Sequence, residues 1–124
     1  MPNYNYTVES SSAKTATGTG QAQSNRDCTG AVLAIKVSAA SGTSPTLTVK
    51  VQGSTNGTDW YDINGAATAT INSVSTVHLT VMPGITAVAN VAVAQPIPRF
   101  WRLAWTIGGT SPSFTFSVDA AMLI

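Results

Sequence analysis

The chain has 124 residues, a net charge of +1 and a charged fraction of only 9%, against roughly 25% in ordinary soluble domains. That length suits one domain with its own core, and 31 serines and threonines fill the places that charges usually take. Six lysines and arginines scattered among five acids form no basic patch for nucleic acid, and no apolar run nears the ~20 residues that span a bilayer.

Low charge also suits a subunit that hides surface against neighbours, because charges are depleted from interface cores. Residues 1–7 have neither a basic region nor a following apolar segment, so no Sec-type signal peptide is expected. Cys28, alone, forms no internal disulfide and is expected as a small buried or semi-buried side chain.

Residues 1–30 are small and polar, and only Tyr4, Tyr6 and Val8 offer strong packing. They read as a polar N-terminal arm or irregular strand, most ordered over residues 15–20. Two outcomes fit that composition: disorder in isolation, or order gained by lying on a neighbour. Residues 31–124 read as the folded domain. In it Leu33, Ile35 and Val37 alternate with Val32, Ala34 and Lys36, the two-residue period of a half-buried strand. Residues 41–45, Ser-Gly-Thr-Ser-Pro, are expected to turn the chain into a hairpin. The returning strand carries Leu47, Val49 and Val51 on one face and Thr46, Thr48, Lys50 and Gln52 on the other. Asn56-Gly57 then offers a second turn, since both residues tolerate positive φ, and Trp60, Tyr61 and Ile63 load the strand that follows.

Val77, Leu79 and Val81 alternate with Thr76, His78 and Thr80, and Met82-Pro83-Gly84 stops that strand. Residues 88–93 read as a further strand, while Pro96 and Pro98 force an extended lead into residues 99–107. There Trp101, Leu103, Trp105 and Ile107 share a face, residues 108–112 are expected to turn, and Phe114, Phe116, Val118 and Ala120 share the next. Gly42-Thr43-Ser44-Pro45 and Gly109-Thr110-Ser111-Pro112 are one motif written twice, which predicts one backbone geometry used twice. No segment holds a 3.6-residue apolar period. Seven or eight strands separated by turns predict an all-β, antiparallel β-sandwich, jelly-roll-like. Its core is Leu33, Ile35, Val37, Leu47, Val49, Val51, Leu79, Val81, Leu103, Phe114, Phe116 and Val118, each worth about 1.5–3 kcal/mol when buried.

No residues of this chain spell out catalysis, so an enzyme is not expected. His78, the single histidine, sits at an outward strand position with no nucleophile and orienting acid placed by spacing. Asp59 and Asp62 flank Trp60-Tyr61, but calcium wants six to eight oxygens. Asp59 is therefore expected to cap the turn, with no metal and no cofactor. The Asn5-Tyr6-Thr7 and Asn56-Gly57-Thr58 sequons are expected to be accidental in a threonine-rich chain. Trp101 and Trp105 belong with Leu103 in the core. Trp60 and Tyr61 are neighbours and face opposite sides, so one of them is free for a ligand or a subunit contact, a sugar-stacking platform included.

Val49-Lys50-Val51-Gln52-Gly53-Ser54 followed by Asn56-Gly57 and Trp60 resembles small structural proteins of tailed bacteriophages. Phe100-Trp101-Arg102-Leu103-Ala104-Trp105 and residues 114–121 are similar to the same proteins, and strand-turn-Trp patterns also occur in discoidin-like sandwiches that bind sugars and lipids. The resemblance implies a virion component on the capsid exterior, made in the host cytoplasm: a decoration or cement protein, often trimeric, whose partner is the major capsid protein. It carries over no functional residue, because cementing has no fixed motif. The interface residues expected are Tyr4, Tyr6, Trp60, Tyr61, Met122, Leu123 and Ile124. For the uncharged C-terminus the other outcome is that it simply completes the core. A carbohydrate- or receptor-binding module of a tail or fibre, and a neck or tail structural subunit, are the alternatives.

Overall fold

The computed structural model describes residues 4–25 and 28–123. Eight strands make up the described chain: β1 (Tyr4–Lys14), β2 (Gly18–Thr19), β3 (Gln23–Ser24), β4 (Gly30–Ser54), β5 (Tyr61–Ala67), β6 (Ser75–Val81), β7 (Ala92–Val93) and β8 (Phe100–Leu123). There is no helix among the described residues, as the missing 3.6-residue period requires. All eight strands belong to one mixed sheet, ordered β1-β8-β4-β6-β7, with β2 and β3 also on β8 and β5 also on β4.

The sheet is organised by β4 and β8, which run antiparallel from Gly30↔Leu123 to Ser54↔Phe100. Two limbs hang on this pair. In one, residues 30–41 of β4 lie between β6 and the C-terminal half of β8, with β1 beyond. In the other, residues 46–54 lie between β5 and the N-terminal half of β8, with β2 and β3 beyond. β7 pairs parallel with β6, and Asn90, just before it, donates from Nδ2 to the Ala67 carbonyl of β5 at 3.2 Å. The far edges of the limbs are tied together there.

Residues 41–45 do not form the expected hairpin, and neither do residues 108–112. Both segments stay within their strands and cross each other, Thr43 facing Thr110. Positive φ at Gly42 (111°) and Ser44 (48°) matches Gly109 (109°) and Ser111 (50°). Register slips on either side of Thr43 make this a bulged bend, and bulges bend strands and tighten their twist. Gly, Ser and Pro serve a bend as well as a turn, and only the partner strand, more than sixty residues away, decides between them.

Past the bend the apolar set of β8 passes from odd numbers (Trp101, Leu103, Trp105) to even ones (Phe114, Phe116, Val118), so inward residues stay inward. All twelve expected core residues are at most 1% exposed. Trp101, Ile63, Ile71, Ala66, Val93, Ile97 and Met122 join them in one cluster. Residues 88–93 also differ from expectation, since only Ala92 and Val93 are strand. Residues 88–91 close a turn in which Val91 and Ala92 donate their N–H groups to the Val88 carbonyl at 3.0 and 2.9 Å.

The N-terminal segment lies along its own β8: β1 on the C-terminal half, β2 and β3 on the N-terminal half. Tyr6 and Val8 pack against the core. Lys14 bridges to Glu9 at 3.2 Å and stands 4.5 Å from the centroid of Phe116, which meets Trp105 edge-on at 5.6 Å. Asn25, 7% exposed, fastens the end of this segment. Its Nδ2 donates to the carbonyls of Cys28 (2.7 Å) and Ile97 (3.2 Å), and its Oδ1 accepts from the Cys28 N–H (3.1 Å). Cys28 is buried beside it.

Candidate interaction surface

The Asn56-Gly57 corner is held by side chains. The buried Ser54 hydroxyl accepts from the N–H groups of Asn56 (3.2 Å) and Gly57 (2.8 Å). Asn56 Oδ1 accepts from the N–H groups of Thr58 and Asp59, both at 2.9 Å. The capping residue is thus Asn56, where Asp59 was expected. Asparagine closes an Asx turn with its carbonyl and keeps an amide N–H, which it gives to Asp59 at 2.9 Å. The chain then returns as β5, with Gly53↔Tyr61 and Gln52↔Asp62 as cross-strand pairs.

Cross-strand neighbours build a polar ladder here, since Gln52 pairs with Asp62 on one side and Arg102 on the other. Gln52 Nε2 donates to Asp62 Oδ1 (2.9 Å), Lys50 Nζ to Asp62 Oδ2 (3.0 Å) and Arg102 Nε to Gln52 Oε1 (2.8 Å). The Gln52 amide first, and the Lys50 ammonium second, hold the Asp62 carboxyl below its usual range. The Arg102 guanidinium lies 4.4 Å from the Trp60 ring centroid, a contact worth about 0.5–1 kcal/mol at an exposed site. Asp59 and Asp62 serve separate networks, and the described residues hold no group of three or more His, Cys, Asp or Glu able to bind a metal.

Trp60 is half-buried beneath Arg102, and Tyr61 is 48% exposed. The Tyr61 ring rests over Gly53, where a Cβ would lie 3.0 Å from its Cζ and 2.6 Å from Pro98 Cγ. Beside it, Asp62, Asn64, Gln95 and Pro96 line a cleft of about 220 Å³.

The other expected interface residues are dispersed. Tyr4 stands opposite Met122 in the β1–β8 register. Tyr6 is half-buried and its hydroxyl donates to Gln23 Oε1 at 3.2 Å, joining β1 to β3. Met122, 1% exposed, is spent on the core, Leu123 is half-buried opposite Gly30, and Ile124 lies outside the described residues. On the outer face of β1, β8 and β4, the Thr7 hydroxyl donates to Asp119 at 2.8 Å. Asn5, Val32, Ala34 and Ala121 complete a shallow concavity of about 510 Å³ there. His78 is exposed on β6, next to Ala34.

What residue-by-residue reading missed is the turn at residues 88–91. Four large apolar residues are exposed among those described: Tyr61, Val74 (63%), Val88 (51%) and Val91 (38%). The last three fall in residues 63–98, which contain no Lys, Arg, Asp or Glu. That long gap in an already charge-poor chain was the available signal.

No known protein family and no curated protein matches the chain. Fold and surface define its class as an all-β protein whose outside pairs a polar cross-strand ladder with an uncharged, apolar turn.

Proposed function

We propose that this is a non-enzymatic structural protein of a virion, a capsid decoration or cement protein that stabilises a phage head by bridging neighbouring capsid subunits. The observation that carries this reading is the stretch 63–98, which has no Lys, Arg, Asp or Glu and turns Val74, Val88 and Val91 outward. Charge-poor apolar surface of that kind marks a protein whose work is contact. The likeness of residues 49–63, 100–105 and 114–121 to small structural proteins of tailed bacteriophages points the same way. In this reading the protein is a homo-oligomer, a trimer for preference, on the capsid exterior. Its partner is the major capsid protein, and avidity multiplies modest contacts. The two limbs pack face to face as a jelly-roll-like sandwich, in keeping with the inward residues of both limbs sharing one cluster. Adding the purified protein to heads stripped of decoration tests the function. Saturable occupancy at symmetry-related positions is expected, and heads that stay bare would refute it.

A second reading is favoured by Tyr61, whose ring is braced on Gly53 beside a polar cleft: a carbohydrate- or receptor-binding module of a tail or fibre. Aromatic rings set against amides and a carboxylate suit a sugar face. Glycan binding lost in Tyr61→Ala, with the fold intact, would select it over cementing. A neck or tail subunit would instead assemble into rings in isolation.

A further inference from the structure

We propose that Asn64-Gly65 is a site of spontaneous covalent modification, where Asn64 deamidates through a succinimide to aspartate and isoaspartate, while the fold holds the identical pair Asn56-Gly57 back. The reaction consumes water alone and is independent of what the protein binds.

Of the asparagines in the chain, Asn56 and Asn64 precede a glycine. That pairing matters because the attacking atom is the backbone nitrogen of the following residue, and glycine sets no Cβ in its path. The nitrogen bonds to Cγ of the asparagine and closes a five-membered ring. The bond from Cγ to Nδ2 breaks, and Nδ2 leaves as ammonia with the proton shed by the backbone nitrogen. Water then opens the ring, returning a proton to that nitrogen. Addition of water at Cγ restores the ordinary chain with an aspartate, and addition at the main-chain carbonyl leaves the chain running through Cγ as isoaspartate. Nothing is oxidised or reduced, and a neutral amide has become a carboxylate.

Tertiary structure separates the two sites. At Asn56 both ends of the carboxamide are engaged: Oδ1 accepts from the N–H groups of Thr58 and Asp59, and Nδ2 donates to Asp59, each at 2.9 Å. The nucleophile is engaged as well, since the Gly57 N–H donates to the Ser54 hydroxyl at 2.8 Å. Attack there waits on the opening of these bonds. Asn64 and Gly65 are both exposed, and the Asn64 carboxamide makes no hydrogen bond with the described residues. Between the pairs Gln52↔Asp62 and Lys50↔Ala67, residues 63–66 of β5 stand against Val51 alone. In this bulge neither Asn64 nor Gly65 has a partner in the β4 register. The other asparagines are less suited: Asn25 is buried, Asn90 is tied to the Ala67 carbonyl ahead of a β-branched valine, and Asn72 precedes a serine.

The product carboxylate enters a stretch that otherwise has no acid, residues 63–98. It would stand in the wall of the cleft beside Tyr61 and Gln95 and of the groove of about 470 Å³ beside Val88.

The test incubates the full chain in mildly alkaline buffer, folded and in urea, and follows both Asn-Gly peptides by mass spectrometry, with isoaspartate read by enzymatic methylation. In the folded protein Asn64 is expected to convert at least about tenfold faster than Asn56, and in urea the two rates should converge. Ser54→Ala, which frees the Gly57 nitrogen, should speed Asn56 in the folded protein. Asp59→Ala, at an exposed position, releases the Asn56 amide in case loss of the buried hydroxyl disturbs the corner, and circular dichroism confirms that each variant folds. Equal rates at Asn64 and Asn56 in the folded protein overturn the proposal. So does a difference that persists undiminished in urea, which would assign the selectivity to local sequence, or an Asn56 rate unmoved by either folded variant.

Discussion

Gly42 and Gly109 each lie where the backbone of the other's motif passes. A Cβ on Gly42 would stand 2.7 Å from the Ser111 carbonyl oxygen and 2.9 Å from Pro112 Cα, and a Cβ on Gly109 would stand 2.7 Å from the Ser44 oxygen and 2.9 Å from Pro45 Cα. The reciprocity makes the repeated Gly-Thr-Ser-Pro motif a single joint with a local two-fold arrangement, through which β4 and β8 bend together.

Alanine at either glycine is therefore expected to be costly. Each has φ near +110° and a neighbouring backbone in the way, so Gly42→Ala or Gly109→Ala should lower the unfolding free energy by more than about 2 kcal/mol. Gly84, at +83° with nothing within 4 Å, should lose about 1–2 kcal/mol, the conformational cost alone. Denaturant midpoints decide this. The double variant should fall short of the sum, because both substitutions open the same joint. Strict additivity would mean that the two glycines act separately.

Asn25→Ala should cost about 1–3 kcal/mol, since it leaves the buried N–H of Cys28 and the carbonyl of Ile97 without their side-chain partner. Hydrogen exchange at the Cys28 amide should accelerate more than exchange at Leu33 or Val118. A uniform increase would show a global effect and no local clasp.

The Asp62 carboxyl supplies a pH signature. Its folded pKa lies below the ordinary 3.8, so folding favours the ionised form. The stabilisation is whole above the unfolded value and is lost as pH falls through the folded one. Gln52→Leu, which removes the leading cause, should raise the Asp62 pKa towards its ordinary value in a carboxyl NMR titration. Lys50→Met should raise it by less. An Asp62 titration unmoved by Gln52→Leu would show that the ladder does not exist in solution.

Truncating residues 1–12 is expected to weaken the fold itself. It removes Tyr6 and Val8 from the core and strips the edge of β8, a loss of about 2 kcal/mol or more at the usual value of buried apolar surface. Thermal unfolding of the truncated chain measures it. An unchanged midpoint would mean that this segment is free to reach a neighbour.

The sequence by itself determined the inward faces of the main strands, at residues 33–37, 47–51, 79–81, 101–105 and 114–118, and that no helix forms among the described residues. The reason is local: a strand exposes alternate faces, so Leu33, Val49 or Phe116 declares its side through its immediate neighbours. It also disclosed the Asn56-Gly57 corner and the repeat at Gly42 and Gly109. The tertiary structure alone decided what that repeat does, because bend and hairpin share a composition and differ only in the partner chosen across the sheet. It likewise decided that the polar N-terminal segment rests on β8, that Met122 fills the core, and that Val88 and Val91 are left in solvent. Those outcomes depend on hydrogen bonds and packing between residues far apart in the chain, such as Asn25 with Ile97 and Asn90 with Ala67, for which no local pattern exists to be read.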